Sequence, residues 1–303
     1  MNKCSQDILY SPIYALFYIL SWLPLSVLYV LARFLYYIIY YVVGYRRKIT
    51  RDNIEKAFPE KSKQELLLLE KNFYRYFTDY MVETVKLLHI GDDEMRRRME
   101  FVNADIVDNY TQQGRSVMLL LGHYGNWEWI PSLTLWCAKS DNMVSGQIYT
   151  PLRNKWFDRF FLHLRSRFGT KGIAKKSTLR ELLHYRREGK VSLIGFISDQ
   201  SPERHSIRHF TTFMGRETAA ITGYEAVAKK LDMAVVYIDV EIIKRGYYRA
   251  TFKLLEDSPA SCPENDIVNR YMQALEQTIC RAPHAWLWSH RRWKYSPSHK
   301  KKV

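Results

Sequence analysis

Ser116-Val117-Met118-Leu119-Leu120-Leu121-Gly122-His123-Tyr124-Gly125-Asn126-Trp127-Glu128 is the stretch on which the fold turns. A short apolar run closed by a glycine reads as a buried strand. The glycine-flanked segment after it reads as a turn opening a helix. Strand-like runs recur at Val191–Ile197, Ala234–Ile242 and Tyr247–Leu255. Helix-like runs alternate with them at Asn154–Arg167, Thr178–Arg187, Thr218–Leu231 and Glu264–Arg281. Strands spaced by 10–15-residue helical patterns point to an α/β sandwich with a mostly parallel central sheet.

Before the first strand, Ser62 to Leu88 reads as one long helix. Leu66, Leu69, Phe73, Tyr76, Phe77, Tyr80 and Leu87 recur near a 3.6-residue period, with Thr84 as the polar break. Ser62 with Glu65 forms a capping-box start, and Gly91 is the expected stop. No internal repeat and no Gly/Ser- or Pro-rich linker interrupts the chain.

The N-terminus sets the compartment. From Ile8 to Val43 the one formal charge is Arg33, and Ile13 to Ala32 supplies 20 uncharged residues. That length crosses a ~30 Å hydrocarbon core and exceeds the ~7–15-residue apolar region of a signal peptide. Tyr10, Tyr14, Tyr18, Tyr36, Tyr37, Tyr40 and Tyr41 crowd its ends, and Arg46, Arg47, Lys48 and Arg51 follow. Cations on that flank put the rest of the chain on the cytoplasmic side. A helical hairpin bent at Pro24 is the alternative. The expected organisation is a membrane anchor over 1–45 (single span or hairpin), one globular domain over 46–295 and a basic tail over 296–303.

With 47% apolar residues among 303, a disordered chain is excluded. Cys4, Cys137, Cys262 and Cys280 form no C-x-x-C pair, which argues against a disulfide framework or a thiolate zinc site and for a reducing compartment. The net charge of +15 asks for an acidic partner: nucleic acid, anionic lipid or an acidic protein. Much of that charge lies between Arg153 and Lys190, with 12 Lys/Arg against 3 acidic residues and Phe157, Phe160 and Phe161 interleaved. Such a face suits a membrane surface. From Arg281 onward there are seven Lys/Arg and no acid.

The chemistry centres on His123 and Glu128. A His followed five residues later by a carboxylate carries little information alone, because 9 His and 31 Asp+Glu generate such a pair by chance. His89–Glu94 is the second match. His89 lies at the end of the long helix, where a His caps carbonyls and favours the dipole. His123 instead follows a buried strand, and catalytic side chains of α/β sheets gather at the carboxyl ends of strands. Gly122 and Gly125 are expected to leave room for a substrate near the backbone.

Strand plus G-H-Y-G-N-W-E resembles the signature of the lipid A biosynthesis late acyltransferases (lauroyl/myristoyl type), within the lysophospholipid acyltransferase superfamily. The resemblance runs over nearly the whole chain. It takes in Gly44-Tyr45-Arg46-Arg47, Asn53 with Ala57-Phe58-Pro59, Tyr149-Thr150-Pro151-Leu152, Arg165-Ser166-Arg167-Phe168-Gly169, Ser198-Asp199-Gln200, Phe213-Met214-Gly215 and Trp286 through Lys294. The superfamily more often has Asp where Glu128 stands; the lipid A branch accepts Glu.

The resemblance implies a lysophospholipid-acyltransferase-like α/β sandwich behind an N-terminal transmembrane helix, at the bacterial inner membrane with its catalytic domain on the cytoplasmic side. It implies transfer of a fatty acyl chain from acyl carrier protein to a hydroxyl of a lipid A precursor, with no metal or cofactor. His123 is the expected general base and Glu128 the carboxylate that holds its tautomer. No G-x-S-x-G elbow occurs, so direct transfer without an acyl-enzyme is the simpler chemistry. Arg165 and Asp199 are expected to bind or support substrate, as are Gly125 and Asn126, which also shape the turn. A lysophospholipid, glycolipid or aminolipid acceptor is the alternative. A tethered nucleic-acid binder is disfavoured, since no nucleic-acid-binding signature occurs.

Overall fold

The structure, a computed structural model, describes residues 11–138 and 140–296. Cys4, Tyr10 and the basic tail beyond Ser296 lie outside the described residues.

Helix α1 (Pro12–Trp22) starts on Ser11, whose Oγ accepts the Tyr14 N–H at 3.1 Å, with Pro12 in the first turn. It stops at Leu23 because Pro24 disfavours helical geometry in the residue before it. Helix α2 (Leu25–Tyr37) continues into a wider turn at Ile38–Val43 that ends on Gly44 at φ 62°. Leu25–Val43 is long and apolar enough to cross a membrane. Pro24 thus divides the uncharged run Ile13–Ala32, and the candidate span lies after it. Leu25, Leu28, Ala32, Tyr36 and Tyr40 are buried on one face of α2 and its continuation, while Val27, Val30, Phe34, Tyr37 and Tyr41 are exposed on the other.

Helices α3 (Arg47–Ala57) and α4 (Lys63–Lys86) follow, and α2 packs along α4. The α4 capping box is present in both directions, with Ser62 bonded to the Glu65 N–H and Glu65 to the Ser62 N–H. Lys86 Nζ reaches back to Ser21 O and Leu23 O (3.0 and 3.1 Å), capping the end of α1. Gly91 does not stop α4; it N-caps α5 (Asp92–Arg98).

The strands are β1 (Met99–Val102), β2 (Val117–Leu121), β3 (Met143–Tyr149), β4 (Lys171–Ala174), β5 (Val191–Ile197), β6 (His209–Phe213), β7 (Arg216–Ala220), β8 (Ala234–Lys244) and β9 (Tyr247–Glu256). Between them run α6 (Asp105–Gln112), α7 (Lys155–Ser166), α8 (Thr178–Arg187) and α9 (Gly223–Leu231), and α10 (Asp266–Arg281) follows β9. Seven strands form the central sheet in the order β1-β9-β8-β2-β5-β3-β4, parallel except for the β8–β9 hairpin. The chain is therefore α/β with a mostly parallel sheet, as its alternating pattern predicts. The helical reading of Thr218–Leu231 fails at its start. Met214 and Gly215, at φ 51° and 68°, make a two-residue turn that pairs β7 with β6, and α9 begins at Gly223.

Candidate active site

Strand register builds the centre. β2 and β5 are adjacent and parallel, with Leu121 opposite Ile197. His123 and Asp199 each lie two residues past those ends, so both chains deliver them to the same level. Asp199 Oδ1 stands 2.6 Å from His123 Nδ1, and Oδ2 accepts the His123 backbone N–H at 2.9 Å. Trp286 Nε1–H also donates to Oδ2, at 2.8 Å. Asp199 is buried. Burial alone would raise its pKa; the His123 charge and these hydrogen bonds outweigh it and hold the carboxyl down at about 2. His123 itself is 20% exposed. Its ring lies edge-on to Trp127, and Gln200 Nε2 is 3.3 Å from Nε2.

Glu128 does not touch His123. It sits in a 3₁₀ segment (Trp127–Leu135), and its carboxylate takes the guanidinium of Arg165 on α7 in two bonds: Nε to Oε2 at 2.7 Å and Nη2 to Oε1 at 2.6 Å. Gly125 at φ 64° turns the chain away from β2, and the tight 3₁₀ winding then carries Glu128 toward α7. The expectation that Glu128 orients the imidazole is corrected: Asp199, expected at the substrate, occupies that position. Burial lowers the Arg165 pKa and the Glu128 charge raises it; the second wins, so the guanidinium stays charged.

Gly122, Gly125 and Asn126 serve the turn. A Cβ on Gly122 would lie 2.5 Å from Leu275 Cδ1 of α10, and one on Gly125 would lie 2.7 Å from Val240 Cγ1 of β8. Protein, not substrate, fills the room that these glycines leave. Asn126 is fully buried and points its Nδ2 at Glu83 Oε2 of α4 (2.8 Å). Glu83 also accepts from Tyr248 (2.7 Å) and from Tyr29 of α2 (2.7 Å), and its carbonyl accepts from Trp129 (3.2 Å). One buried carboxylate thus ties the turn to the apolar N-terminal helix and to β9. Burial raises its pKa to about 7 against those hydrogen bonds.

His123, Glu128 and Arg165 open onto a cavity of about 890 Å³. Leu119, Leu121, Leu133, Leu193 and Ile197 give it an apolar wall, and Arg153, Lys175 and Lys176 are exposed cations along its lining. Gly125 and Asn126 are not among the lining residues. Among the described residues, no three His, Cys, Asp or Glu side chains converge as metal ligands would. His89 stacks on Trp22 at 3.8 Å between ring centroids, and Glu94 pairs with Arg98, so the second H-x4-E match forms no pair.

The model of the bacterial lipid A biosynthesis acyltransferase family matches residues 6–295. This chain belongs to that family. It is 24% identical over 255 residues to the lipid A biosynthesis palmitoleoyltransferase of Escherichia coli K12, covering 83% of this chain and 80% of that one. The lipid A biosynthesis acyltransferase of Shigella flexneri matches at the same identity and coverage. That of Haemophilus influenzae is 22% identical over 254 residues, 81% of this chain and 76% of that one.

The structure gives several of the acyltransferase motifs a physical role. Tyr124 pairs with Trp286 across an isolated antiparallel bridge, His123 O accepts the Leu287 N–H at 3.1 Å, and Ala285 O accepts the Gly125 N–H at 3.2 Å. The C-terminal segment is therefore a backstop behind the turn that carries His123. Asn53 Nδ2 holds it through Trp288 O and His290 O (2.7 and 2.8 Å), and Arg46 through Ser289 O (3.1 Å). Arg292 is buried with one nitrogen on Thr218 Oγ1 and Ala219 O. Trp286 and Gln200 contact the Asp199–His123 pair and Glu83 holds Asn126, contacts that reading single motifs misses. The one local signal for Asp199 is its position after the apolar run Val191–Ile197, the same offset as His123 after its own.

Proposed function

We propose that this enzyme moves a fatty acyl chain from an acyl carrier protein thioester to a hydroxyl of a lipid A precursor, with His123 as general base and no acyl-enzyme. The observation that carries the reading is the Asp199–His123 pair at the carboxyl end of the sheet, with His123 open to a cavity that has an apolar wall and cations along its lining. An alcohol is too weak an acid to attack a thioester unaided. Asp199 holds the proton of the imidazole on Nδ1 and leaves Nε2 unprotonated; the substrate hydroxyl takes the place of the Gln200 amide beside Nε2 and gives up its proton there as the C–O bond forms. A base so placed contributes ~10²–10⁴-fold.

Arg165, fixed by Glu128, faces the cavity as the donor for the tetrahedral oxyanion. On collapse the C–S bond breaks, and the carrier thiolate takes the proton back from the imidazolium. Arg153, Lys175 and Lys176 suit phosphates of the acceptor or the acidic surface of the carrier protein. The exposed apolar face of α2 supports anchoring in the inner membrane, with the catalytic domain on the cytoplasmic side where acyl carrier protein is found.

The test is acyl transfer by membranes carrying the enzyme, beside His123→Ala. Labelled acyl carrier protein thioester is the donor, with lipid A precursor and lysophospholipid as separate acceptors. Label on the lipid A precursor only, and only with His123 intact, is the expected result. Label on the lysophospholipid instead would move the acceptor to the alternative. Near-full activity of His123→Ala would sink the catalytic assignment.

A further inference from the structure

Gly122, Gly146, Gly172 and Gly195 lie inside or just past β2, β3, β4 and β5, and the first three are crowded. A Cβ would meet Leu275 at 2.5 Å from Gly122, Lys171 O at 2.7 Å from Gly146, and Leu162 at 2.4 Å from Gly172. Gly195 is different. It lies inside β5, between β2 and β3, with a φ outside the left-handed region. The nearest atoms to a Cβ there are Gly146 O, Gln147 Cβ and Leu121 Cδ2 at 3.8, 3.9 and 4.0 Å, ordinary contacts all. Glycine in a strand interior weakens it and leaves nothing to pack. Neither backbone geometry nor crowding asks for it at 195.

What the missing side chain does is open the cavity. Gly195 lines it and is partly exposed, while its neighbours Ile194 and Phe196 are buried. Alternation places Leu119, Leu121, Leu193, Gly195 and Ile197 on one face, all in the cavity wall. Leu119, Gly195 and Gln147 are in register across three strands. That row lies four residues back from the His123–Asp199 level, about 13 Å along the strands. Gln147 bounds the row on β3 with a buried Nε2 that has no hydrogen-bond partner, a group that hydrocarbon would leave desolvated.

We infer that the strip of sheet running from His123 over Leu121 and Ile197 to Leu119 and Gly195 holds the donor's acyl chain, and that the bare backbone at Gly195 sets how long a chain fits. This rests on the acyl-transfer reading above. An apolar chain in an apolar cavity gains with each buried methylene, so a side chain grown at 195 displaces the distal carbons and spares the thioester.

The experiment offers decanoyl, lauroyl, myristoyl and palmitoyl thioesters of acyl carrier protein in turn to membranes carrying wild type, Gly195→Ala or Gly195→Val, with lipid A precursor as acceptor. Valine suits a strand and is expected to lower kcat/KM for the longest chain that wild type uses by about tenfold or more relative to the shorter ones, alanine by less. An unchanged chain-length profile, or an equal fall for every chain in folded protein, would overturn the inference. Should the valine variant fail to fold, the alanine variant is read by the same two criteria. Wild type that transfers no chain at all removes the acyl-transfer reading, and the inference with it; wild type that transfers without a length shift at position 195 removes the inference alone.

Discussion

Asp199→Asn tests whether Asp199, rather than Glu128, orients the imidazole. The substitution keeps size and removes charge. In the native site two donors, the His123 backbone N–H and Trp286 Nε1–H, converge on Oδ2 at 2.9 and 2.8 Å. The asparagine oxygen is therefore drawn to that side, and its NH₂ turns toward His123 Nδ1. Nδ1 must then accept, the ring proton moves to Nε2, and Nε2 can no longer take a proton from the acceptor hydroxyl. Restoring the productive tautomer requires the amide to flip, which sets NH₂ against two buried donors. Each buried donor left unpaired costs about 1–3 kcal/mol, so the flip costs about 2–6 kcal/mol. At ~1.4 kcal/mol per decade this is about a 30-fold to 10⁴-fold fall in the competent population, and the same fall in kcat. The assay is steady-state transfer to lipid A precursor at saturating acyl carrier protein thioester, with folding checked by thermal denaturation in detergent. Folded Asp199→Asn that keeps its rate within about tenfold would refute the reasoning and return the orienting role to Glu128.

Three further outcomes follow from the same geometry. Glu128→Gln leaves the Arg165 charge facing an amide; breaking a buried pair on one side costs about 3 kcal/mol, near the low end because Arg165 is 21% exposed, and is read as a lowered denaturation midpoint with reduced transfer. Gly125→Ala forces a side chain onto φ 64° and 2.7 Å from Val240 Cγ1; it should destabilise by about 1–2 kcal/mol from the backbone alone and lower activity, with Val240→Ala in the same chain recovering part of the loss. Glu83→Gln tests a pH slope. The folded pKa of Glu83, near 7, lies above its ordinary 4.5, so the folded state holds the extra proton between those values and stability falls as pH rises through that window. Wild type should gain stability over Glu83→Gln when pH drops from 7 toward 4.5 in thermal scans, and equal slopes for both proteins would remove the assignment.

The Glu83 cluster links the apolar N-terminal helix to the turn after β2. Tyr29 of α2 and Asn126 of that turn bind the two oxygens of one carboxylate. The same carboxylate therefore joins α2, α4 and the turn that carries His123.

Features written in local chemistry were legible in the sequence. The Ser62–Glu65 capping box, the strands at Val191–Ile197 and 117–121, and the helix at Thr178–Arg187 need only neighbours within a few residues, and each forms where its pattern ends or begins. The position of His123 just past a buried strand was legible too, because a histidine after an apolar run is itself a local pattern. Pro24 is visible in the sequence, and an uncharged run is not a continuous helix when a proline sits inside it. The hairpin at Phe213–Arg216 was missed because Met214 takes a positive φ that its residue type does not announce. What only the tertiary structure decided is who holds whom. His123 and Asp199 lie 76 residues apart and meet because β5 is the neighbour of β2 in register. Glu128, five residues from His123, goes instead to Arg165 on α7. Sequence spacing ranks candidate pairs along one chain, but a hydrogen bond selects by distance across the sheet, and strand order and register are set by the packing of the whole core.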